Sequence, residues 1–314
     1  MLATLKSALL ASRPFSWINT AFPFVAGWLI TGTAVSWHFW AATLFFFIPY
    51  NVAMYGINDI YDYESDLKNP RKASIEGALL DPSKFRGLCV CVVLFCVPLG
   101  IVLLSFGSLT AKLILLFSAF MVIAYSAPPF RFKEVPFLDS FTSSCHFVTP
   151  LMYGIAVSDG NLARVAPILI AYAMWGMASH AFGAVQDVTF DRQGGIASVA
   201  TVIGARATVF LSTVLYLGAS ATIALAFPMV LGYGAALSCG LYALNVGRFW
   251  NITDVNSPKT NAGWRLFLAL NGQAGAYVTG MWLYTLGKVP LWTPFAISAI
   301  TFAFLAAILR RHTS

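Results

Sequence analysis

The sequence WHFWAATLFFFIPYNVAMYGI at residues 37–57 runs directly into NDIYDYESD at residues 58–66. The first segment is almost wholly apolar and has the length of about 20 residues that a helix needs to cross a bilayer. The second segment carries four carboxylates within nine residues. An apolar run that ends in a dense cluster of acids predicts a membrane-spanning helix with a polar site at one end.

The composition extends this interpretation to the whole chain of 314 residues. Hydrophobic residues make up 59% and charged residues 10%, with a mean hydropathy of +0.76. A soluble domain carries roughly 25% charged residues. The composition therefore excludes a soluble enzyme, a nucleic-acid-binding module and a disulfide-rich secreted domain, and it predicts an all-α polytopic membrane protein. The five cysteines lie in apolar stretches, where they resemble small core residues more than metal ligands.

Apolar stretches of spanning length recur along the chain and predict nine to ten transmembrane helices in one domain over residues 1–314. Residues 1–12 predict a short helix at the membrane interface rather than a cleaved signal. The region 207–249 admits either one or two spans. The ten stretches are 15–33, 37–57, 87–106, 110–125, 137–157, 164–186, 207–227, 229–249, 266–287 and 290–309.

The charges predict the orientation of these helices. If both termini face the cytoplasm, 16 of the 19 Lys and Arg residues fall on the cytoplasmic side. The exceptions are Lys112, Arg164 and Lys288. This is the asymmetry of the positive-inside rule. Eleven of the twelve acids fall on the same side, so we expect a polar site at the cytoplasmic face.

The first acidic cluster has the spacing of one helix face. If the second apolar stretch continues as a helix, Asp59, Asp62 and Asp66 are related as i, i+3 and i+7, with Asn58 one turn before Asp62. Like charges on one face destabilise a helix unless a cation neutralises them. Hard oxygen donors of this kind suit Mg²⁺.

A second cluster, QDVTFD at residues 186–191, follows the sixth apolar stretch. If the two helix ends face each other, the carboxylates converge on one pocket. Mg²⁺ is usually held by one or two carboxylates together with substrate phosphates, so the paired clusters predict a Mg²⁺-diphosphate site. The predicted metal ligands are Asn58, Asp59, Asp62, Asp66, Asp187 and Asp191. The predicted substrate-binding residues are Asn58, Lys68, Arg71, Lys72, Arg131, Lys133 and Arg192.

Both clusters resemble the two signatures of the UbiA superfamily of intramembrane prenyltransferases. YSAPPFRFK at residues 125–133 is similar to a further segment of that superfamily. A narrower similarity is to bacterial lycopene elongases of C50 carotenoid synthesis. The segments that carry it are RPFSWINTAFPF (13–24), IPYNVAMYGINDIYDYESDLKNPRK (48–72), IEGALL (75–80), GAVQDV (183–188), SVATVIGAR (198–206) and RFWNITD (248–254).

The resemblance implies an enzyme that transfers dimethylallyl groups from dimethylallyl diphosphate (DMAPP) to the ends of lycopene or another C40 or C45 carotenoid. It implies a UbiA-like bundle in the bacterial cytoplasmic membrane, among membrane lipid, with Mg²⁺ as cofactor and no nucleic-acid partner. The superfamily usually has nine helices, so the stretch 290–309 would be additional. Glu76-Gly77 and Gly195 depart from the pattern of many superfamily members, which argues against an acceptor of the 4-hydroxybenzoate type. An aromatic or quinone-precursor acceptor is the alternative.

In this mechanism Mg²⁺ neutralises the departing diphosphate, and aromatic rings stabilise the allylic cation. Tyr55, Tyr61, Tyr125, Tyr153, Trp175 and Phe182 are the candidate rings. The cation left on the acceptor loses a proton or captures water. His180, two turns before Asp187, and His146 are candidate proton acceptors, as is the diphosphate itself. The candidate catalytic residues are Asp62, Asp66, Asp187, Tyr125 and His180.

A transporter that uses acids at the membrane midplane is the alternative from another functional class. Transporter acids lie deep within their helices. Most of the ten stretches carry no acid in their middles, which disfavours transport.

Overall fold

The computed structural model describes residues 2–67 and 81–311, and this part of the chain contains helices and no strand. The prediction of an all-α fold is confirmed, and every predicted apolar stretch contains a helix. The α-helices of the described residues are α1 (Leu2–Ala11), α2 (Ile18–Leu29), α3 (Trp37–Phe47), α4 (Pro49–Asp66), α5 (Phe85–Leu104), α6 (Leu109–Ser126), α7 (Leu138–Val157), α8 (Ala166–Val185), α9 (Val188–Gly194), α10 (Val199–Ile203), α11 (Ala205–Ala226), α12 (Val230–Gly247), α13 (Asn261–Thr285) and α14 (Thr293–Arg311).

Six segments of the described residues are long and apolar enough to cross a membrane, fewer than the nine to ten predicted. α2 and the apolar part of α14 are shorter apolar helices. The higher number of spans therefore stays a prediction. The six segments are Trp37–Glu64, Pro82–Leu104, Leu109–Ser126, Ala166–Val185, Ala205–Ala226 and Val230–Gly247.

α7 is long enough to span a bilayer, but its polar residues keep it out of this set. Asp139, His146 and Thr149 are among its buried side chains. The hydroxyl of Thr149 lies 2.6 Å from that of Ser118 on α6. Hydrogen bonds between helices satisfy polar groups that face away from lipid, so a low hydropathy is compatible with a helix whose polar face packs inside the protein.

The chain divides into two compact units, residues 1–163 and 164–314. In the first unit, α2 and α7 pack with their backbones in contact. A Cβ on Gly27 would lie 2.3 Å from the carbonyl oxygen of Leu151, and a Cβ on Gly154 would lie 2.3 Å from that of Phe24. Small residues allow helices in membrane proteins to approach this closely.

An aromatic cluster fills the core of this first unit. The ring of Phe24 stacks on Phe46 with centroids 5.4 Å apart and tilts against Tyr153 at 6.0 Å. Tyr153 is fully buried and donates its hydroxyl to the carbonyl of Leu103 at 3.3 Å. Leu103 lies near the end of α5, remote from the acidic end of α4. Tyr153 is therefore a core residue, and its role as a candidate cation-stabilising ring stays a prediction.

The predicted stretch 37–57 consists of two helices that meet at Ile48. Pro49 opens α4, and proline fits the first turn of a helix because its missing amide hydrogen is not needed there. α4 then continues to Asp66, as the spacing of the first acidic cluster predicts.

The second unit has its own aromatic core among α8, α11, α12 and α13. Tyr216 stacks on Tyr242 with ring centroids 5.3 Å apart, and the ring edge of Trp175 meets Tyr242 at 5.8 Å. The Tyr216 hydroxyl lies 2.8 Å from that of Ser179. Phe182 is also buried, 5.8 Å from Phe249. Trp175 and Phe182 thus serve as packing residues in this unit.

Candidate functional site

The first acidic cluster lies on one face of α4, and two of its carboxylates are buried. Asp59 is 4% exposed and Asp62 is 7% exposed. The side-chain amide of Asn58 donates to Asp62 Oδ2 at 2.8 Å and to the hydroxyl of Ser126 at 3.1 Å. Burying a carboxylate is costly unless it is paired and hydrogen-bonded, so this helix face depends on countercharges from elsewhere in the unit.

Lys133 supplies the first countercharge. Its ammonium forms an ion pair with Asp62 Oδ1, and both side chains are largely shielded from solvent. Lys133 comes from the segment between α6 and α7, which turns sharply where Arg131 has a positive φ of 43°. The structure therefore brings together Asn58, Asp62 and Lys133, three residues that the sequence predicts for the substrate site.

Arg13 supplies the second countercharge, and the sequence analysis did not assign it a role in the site. Its Nη2 donates to Asp59 Oδ1 at 3.0 Å. The same guanidinium lies over the ring of Tyr55, 4.4 Å from the centroid. Arg13 follows α1, which packs against α4 and α5 through buried residues that include Ala8 and Ala11. Sequence reasoning could have found Arg13, because it lies in a segment that resembles the elongases.

Arg131 differs from Lys133 in its partner. Its guanidinium forms an ion pair with Glu134, with both side chains about one third exposed. The hydrogen bond from Arg131 holds the pKa of Glu134 below its usual value. Arg131, a predicted substrate-binding residue, is therefore partly neutralised by a carboxylate of its own turn.

Tyr125 and His146 adjoin this cluster. Tyr125 precedes Ser126, the residue whose hydroxyl accepts from Asn58. The Tyr125 ring meets the His146 ring edge-on with centroids 5.2 Å apart. His146 is 4% exposed, and its Nε2 lies 3.3 Å from the carbonyl oxygen of Met121. A candidate cation-stabilising ring and a candidate proton acceptor are thus in contact in the first unit.

The second acidic cluster lies at the start of α9 in the second unit. Asp187 is the N-cap of α9, and Asp191 lies one turn later, where its amide donates to the Asp187 carbonyl at 2.8 Å. Both side chains are partly buried. The preceding Gln186 is buried and accepts a hydrogen bond from the side chain of Asn261 at 2.8 Å. The convergence of this cluster with the first one stays a prediction.

Arg192, a predicted substrate-binding residue, is held in a defined position by a carboxylate that the sequence analysis did not single out. Its Nη1 donates to Asp254 Oδ2 at 2.5 Å, while Nε and Nη2 donate to the Thr201 carbonyl at 3.0 and 2.8 Å. The other oxygen of Asp254 accepts from the Ala205 amide at 2.7 Å. This backbone hydrogen bond and the Arg192 contact lower the pKa of Asp254.

The helical argument for His180 is weakened by the structure. α8 ends at Val185, before Asp187 is reached. Periodicity along one helix cannot place two residues on a shared face once the helix has ended between them. His180 is a partly buried residue of α8, and its role stays a prediction.

Several predicted site residues lie outside the described part of the chain. These are Lys68, Arg71, Lys72 and the side chain of Asp66, and the departure at Glu76-Gly77 lies in the same undescribed range. Within the described residues, no group of three or more His, Cys, Asp or Glu side chains has the arrangement of a metal site.

Comparisons with known proteins bear on the family and the fold. A family model described as "UbiA prenyltransferase family" matches residues 19–271. A relative from Corynebacterium glutamicum, named lycopene elongase/hydratase, is 44% identical over 280 residues, which cover 89% of this chain and 97% of the relative. A Dietzia relative, named C(50) beta-cyclic carotenoids biosynthesis protein LbtBC, is 44% identical over 88% of this chain and 64% of that protein.

A solved structure has the same fold. It is a UbiA homolog from Archaeoglobus fulgidus bound to DMAPP and Mg²⁺, with a TM-score of 0.63 and 18% identity. The match covers 86% of this chain and 98% of the homolog.

Proposed function

The chain belongs to the UbiA prenyltransferase family, and we propose that it transfers dimethylallyl groups from DMAPP to the two ends of lycopene. The products are acyclic C45 and C50 carotenoids. The chain is an integral membrane enzyme by its family and its apolar helices. The 44% identity over nearly the full length of a protein named lycopene elongase/hydratase supports the carotenoid acceptor.

The observation that carries the diphosphate chemistry is the set of Asn58, Asp62 and Lys133 in one buried cluster. Carboxylate and amide oxygens are the hard donors that Mg²⁺ prefers. One or two carboxylates are enough when substrate phosphates complete the coordination, so the residues present fit this ion without a cage of three acids. Asp59 and Asp62 would hold it, and Asp187 and Asp191 offer the same type of donor.

When bound, Mg²⁺ supplies neutralisation of the charge that builds up on the departing diphosphate. Before substrate binds, Arg13 and Lys133 neutralise the buried carboxylates of α4. We propose that, once substrate binds, these two cations pair with the diphosphate oxygens and stabilise their negative charge. In this exchange, the cations neutralise the carboxylates before binding. After binding, Mg²⁺ neutralises the carboxylates and the diphosphate neutralises the cations.

The partly buried ring of Tyr125, in contact with the buried His146, suits the carbocation chemistry. Tyr125 presents a ring that can stabilise a cation, and buried surroundings exclude water that would quench the allylic cation. Attack by the terminal double bond of lycopene leaves a tertiary cation on the acceptor. Its charge is discharged either by loss of a proton or by capture of water with release of a proton. His146 and His180 are the candidate proton acceptors.

The relatives' name, lycopene elongase/hydratase, supports capture of water as one outcome. We propose that both termini and the site face the cytoplasm of a bacterial cell, because the basic residues are concentrated on that side.

The test is an assay with the purified chain in lipid, supplied with lycopene, DMAPP and Mg²⁺, with products identified by mass. We expect gains of one and then two C5 units, with an added mass of water if the cation is hydrated. Asp62→Asn should reduce turnover by about 10²-fold or more, because a preorganised electrostatic group is worth that much. Asp159→Asn is the matched control, since Asp159 is exposed and its positive φ of 60° suits asparagine.

Turnover with an aromatic or quinone-precursor acceptor, and none with lycopene, would retain the family and reject the proposed acceptor. Equal activity of Asp62→Asn and Asp159→Asn would reject the role of the α4 carboxylate.

A further inference from the structure

A groove in the second unit opens between the start of α11 and the end of α12. Its volume is about 700 Å³. Phe210 lines one wall, and Gly247 and Trp250 line another. Phe210 is 71% exposed and Trp250 is 61% exposed, so the groove is a largely apolar channel with open access from outside the protein.

The polar end of the groove carries one cation whose charge no described carboxylate neutralises. Arg206 is exposed, and its guanidinium lies over the Trp250 ring, 5.6 Å from the centroid. Asp254 also lines the groove, but its oxygens are engaged by Arg192 and by the Ala205 amide. The groove therefore has a net positive charge at one end and apolar walls along its length.

The two helices place this polar end at a membrane boundary. α11 and α12 are both long and apolar enough to span a membrane. Arg206 lies in the first turn of α11, and Trp250 follows the last residue of α12 by three positions. Tryptophan and arginine are favoured at the membrane–water interface. Phe210 lies one turn deeper than Arg206, in the direction of the apolar interior.

We propose that this groove binds an anionic phospholipid, with its phosphate at Arg206 and an acyl chain along Phe210 and Trp250. A cation at the interface next to an exposed apolar channel is complementary to an amphiphile that has an anionic head and an apolar tail. A free phosphate ion would leave the apolar walls uncovered. The groove contains no carboxylate of either acidic cluster, but it adjoins the second cluster through Asp254, which accepts hydrogen bonds from Thr189 and Arg192.

The proposal is tested by quenching of Trp250 fluorescence with brominated lipids. The chain is placed in phosphatidylcholine nanodiscs with increasing fractions of brominated phosphatidylglycerol, or of brominated phosphatidylcholine as the neutral comparison. The signal of a Trp250→Phe variant is subtracted as background. We expect quenching to saturate at a lower lipid fraction for the anionic lipid.

Arg206→Gln should move the midpoint for the anionic lipid about fivefold higher, which is the contribution of one basic residue near a membrane surface. Lys259→Gln removes the same charge from an exposed residue outside the groove and should leave the midpoint unchanged. Identical midpoints for the two lipids in the unsubstituted protein would overturn the proposal, and this comparison remains decisive if Arg206→Gln fails to fold. Displacement of the anionic lipid by millimolar inorganic phosphate would overturn the assignment to a phospholipid.

Discussion

Replacing Arg13 by glutamine tests the most unexpected contact of the first acidic cluster. The substitution removes the hydrogen bond of 3.0 Å to Asp59 and the guanidinium over Tyr55, 4.4 Å from the ring centroid. Asp59 stays 4% exposed on the buried face of α4. Loss of the guanidinium therefore leaves a carboxylate that solvent cannot readily hydrate.

The expected magnitude follows from these contacts. A hydrogen bond to a charged group contributes about 1.5–3 kcal/mol, and a cation over an aromatic ring contributes about 0.5–1 kcal/mol at a partly exposed site. The Arg13 side chain is 21% exposed, which favours the lower part of each range. We expect Arg13→Gln to lower the free energy of unfolding by roughly 2–3 kcal/mol.

A double-mutant cycle separates the ion pair from the contact with Tyr55. The single variants Arg13→Gln and Asp59→Asn are compared with the double variant by titrating unfolding in mixed micelles and following helical circular dichroism. The coupling between the two positions should be about 1.5–2 kcal/mol. Arg13→Lys should retain only part of this coupling energy, because an ammonium lacks the planar guanidinium, which donates to Asp59 and stacks on Tyr55 at the same time.

Arg86→Gln is the matched control, since Arg86 is an exposed residue of α5 in the same unit. A coupling below about 0.5 kcal/mol, with Arg13→Gln as stable as Arg86→Gln, would refute the reasoning. In the activity assay, Arg13→Gln makes the site more negative. The Mg²⁺ concentration for half-maximal activity should therefore fall, and the KM for DMAPP should rise.

Two further substitutions test the packing of the first unit and the acid sensitivity of the second. Gly27→Ala places a Cβ 2.3 Å from the Leu151 carbonyl oxygen, so it should destabilise by about 1–3 kcal/mol through overpacking. Gly100→Ala meets nothing within 4 Å and should gain up to about 1 kcal/mol of helix propensity; equal unfolding midpoints of the two variants would contradict the close packing of α2 and α7. The pKa of Asp254 is lowered from 3.8, so its contribution to stability is present above about pH 4 and lost as the pH falls through the folded-state pKa. The difference in unfolding temperature between the unsubstituted protein and Asp254→Asn should be largest at neutral pH and shrink below pH 4, and a difference that does not change with pH would argue against an ionised Asp254.

The membrane class, the helix in each apolar stretch and the shared face of Asp59 and Asp62 were predictable from the sequence. These features depend on the apolar content of about 20 consecutive residues and on the spacing of residues within two helical turns. The family resemblance of the segment 125–133 added Lys133 to the predicted site residues. The break at Pro49 was missed, because an apolar run by itself does not reveal a boundary between two helices within it. The end of α8 agrees with the predicted stretch 164–186, and only the relation of His180 to Asp187 assumed a longer helix.

The partners of the paired charges were decided only by the tertiary structure. Arg13 and Asp59 are separated by 46 residues, and Arg192 and Asp254 by 62. No local pattern relates such positions. Their pairing follows from which helices pack together, and that packing depends on the shapes of surfaces such as the close contact of Gly27 with α7. Local hydrophobicity thus determines the helices, whereas packing between helices determines which charges neutralise each other.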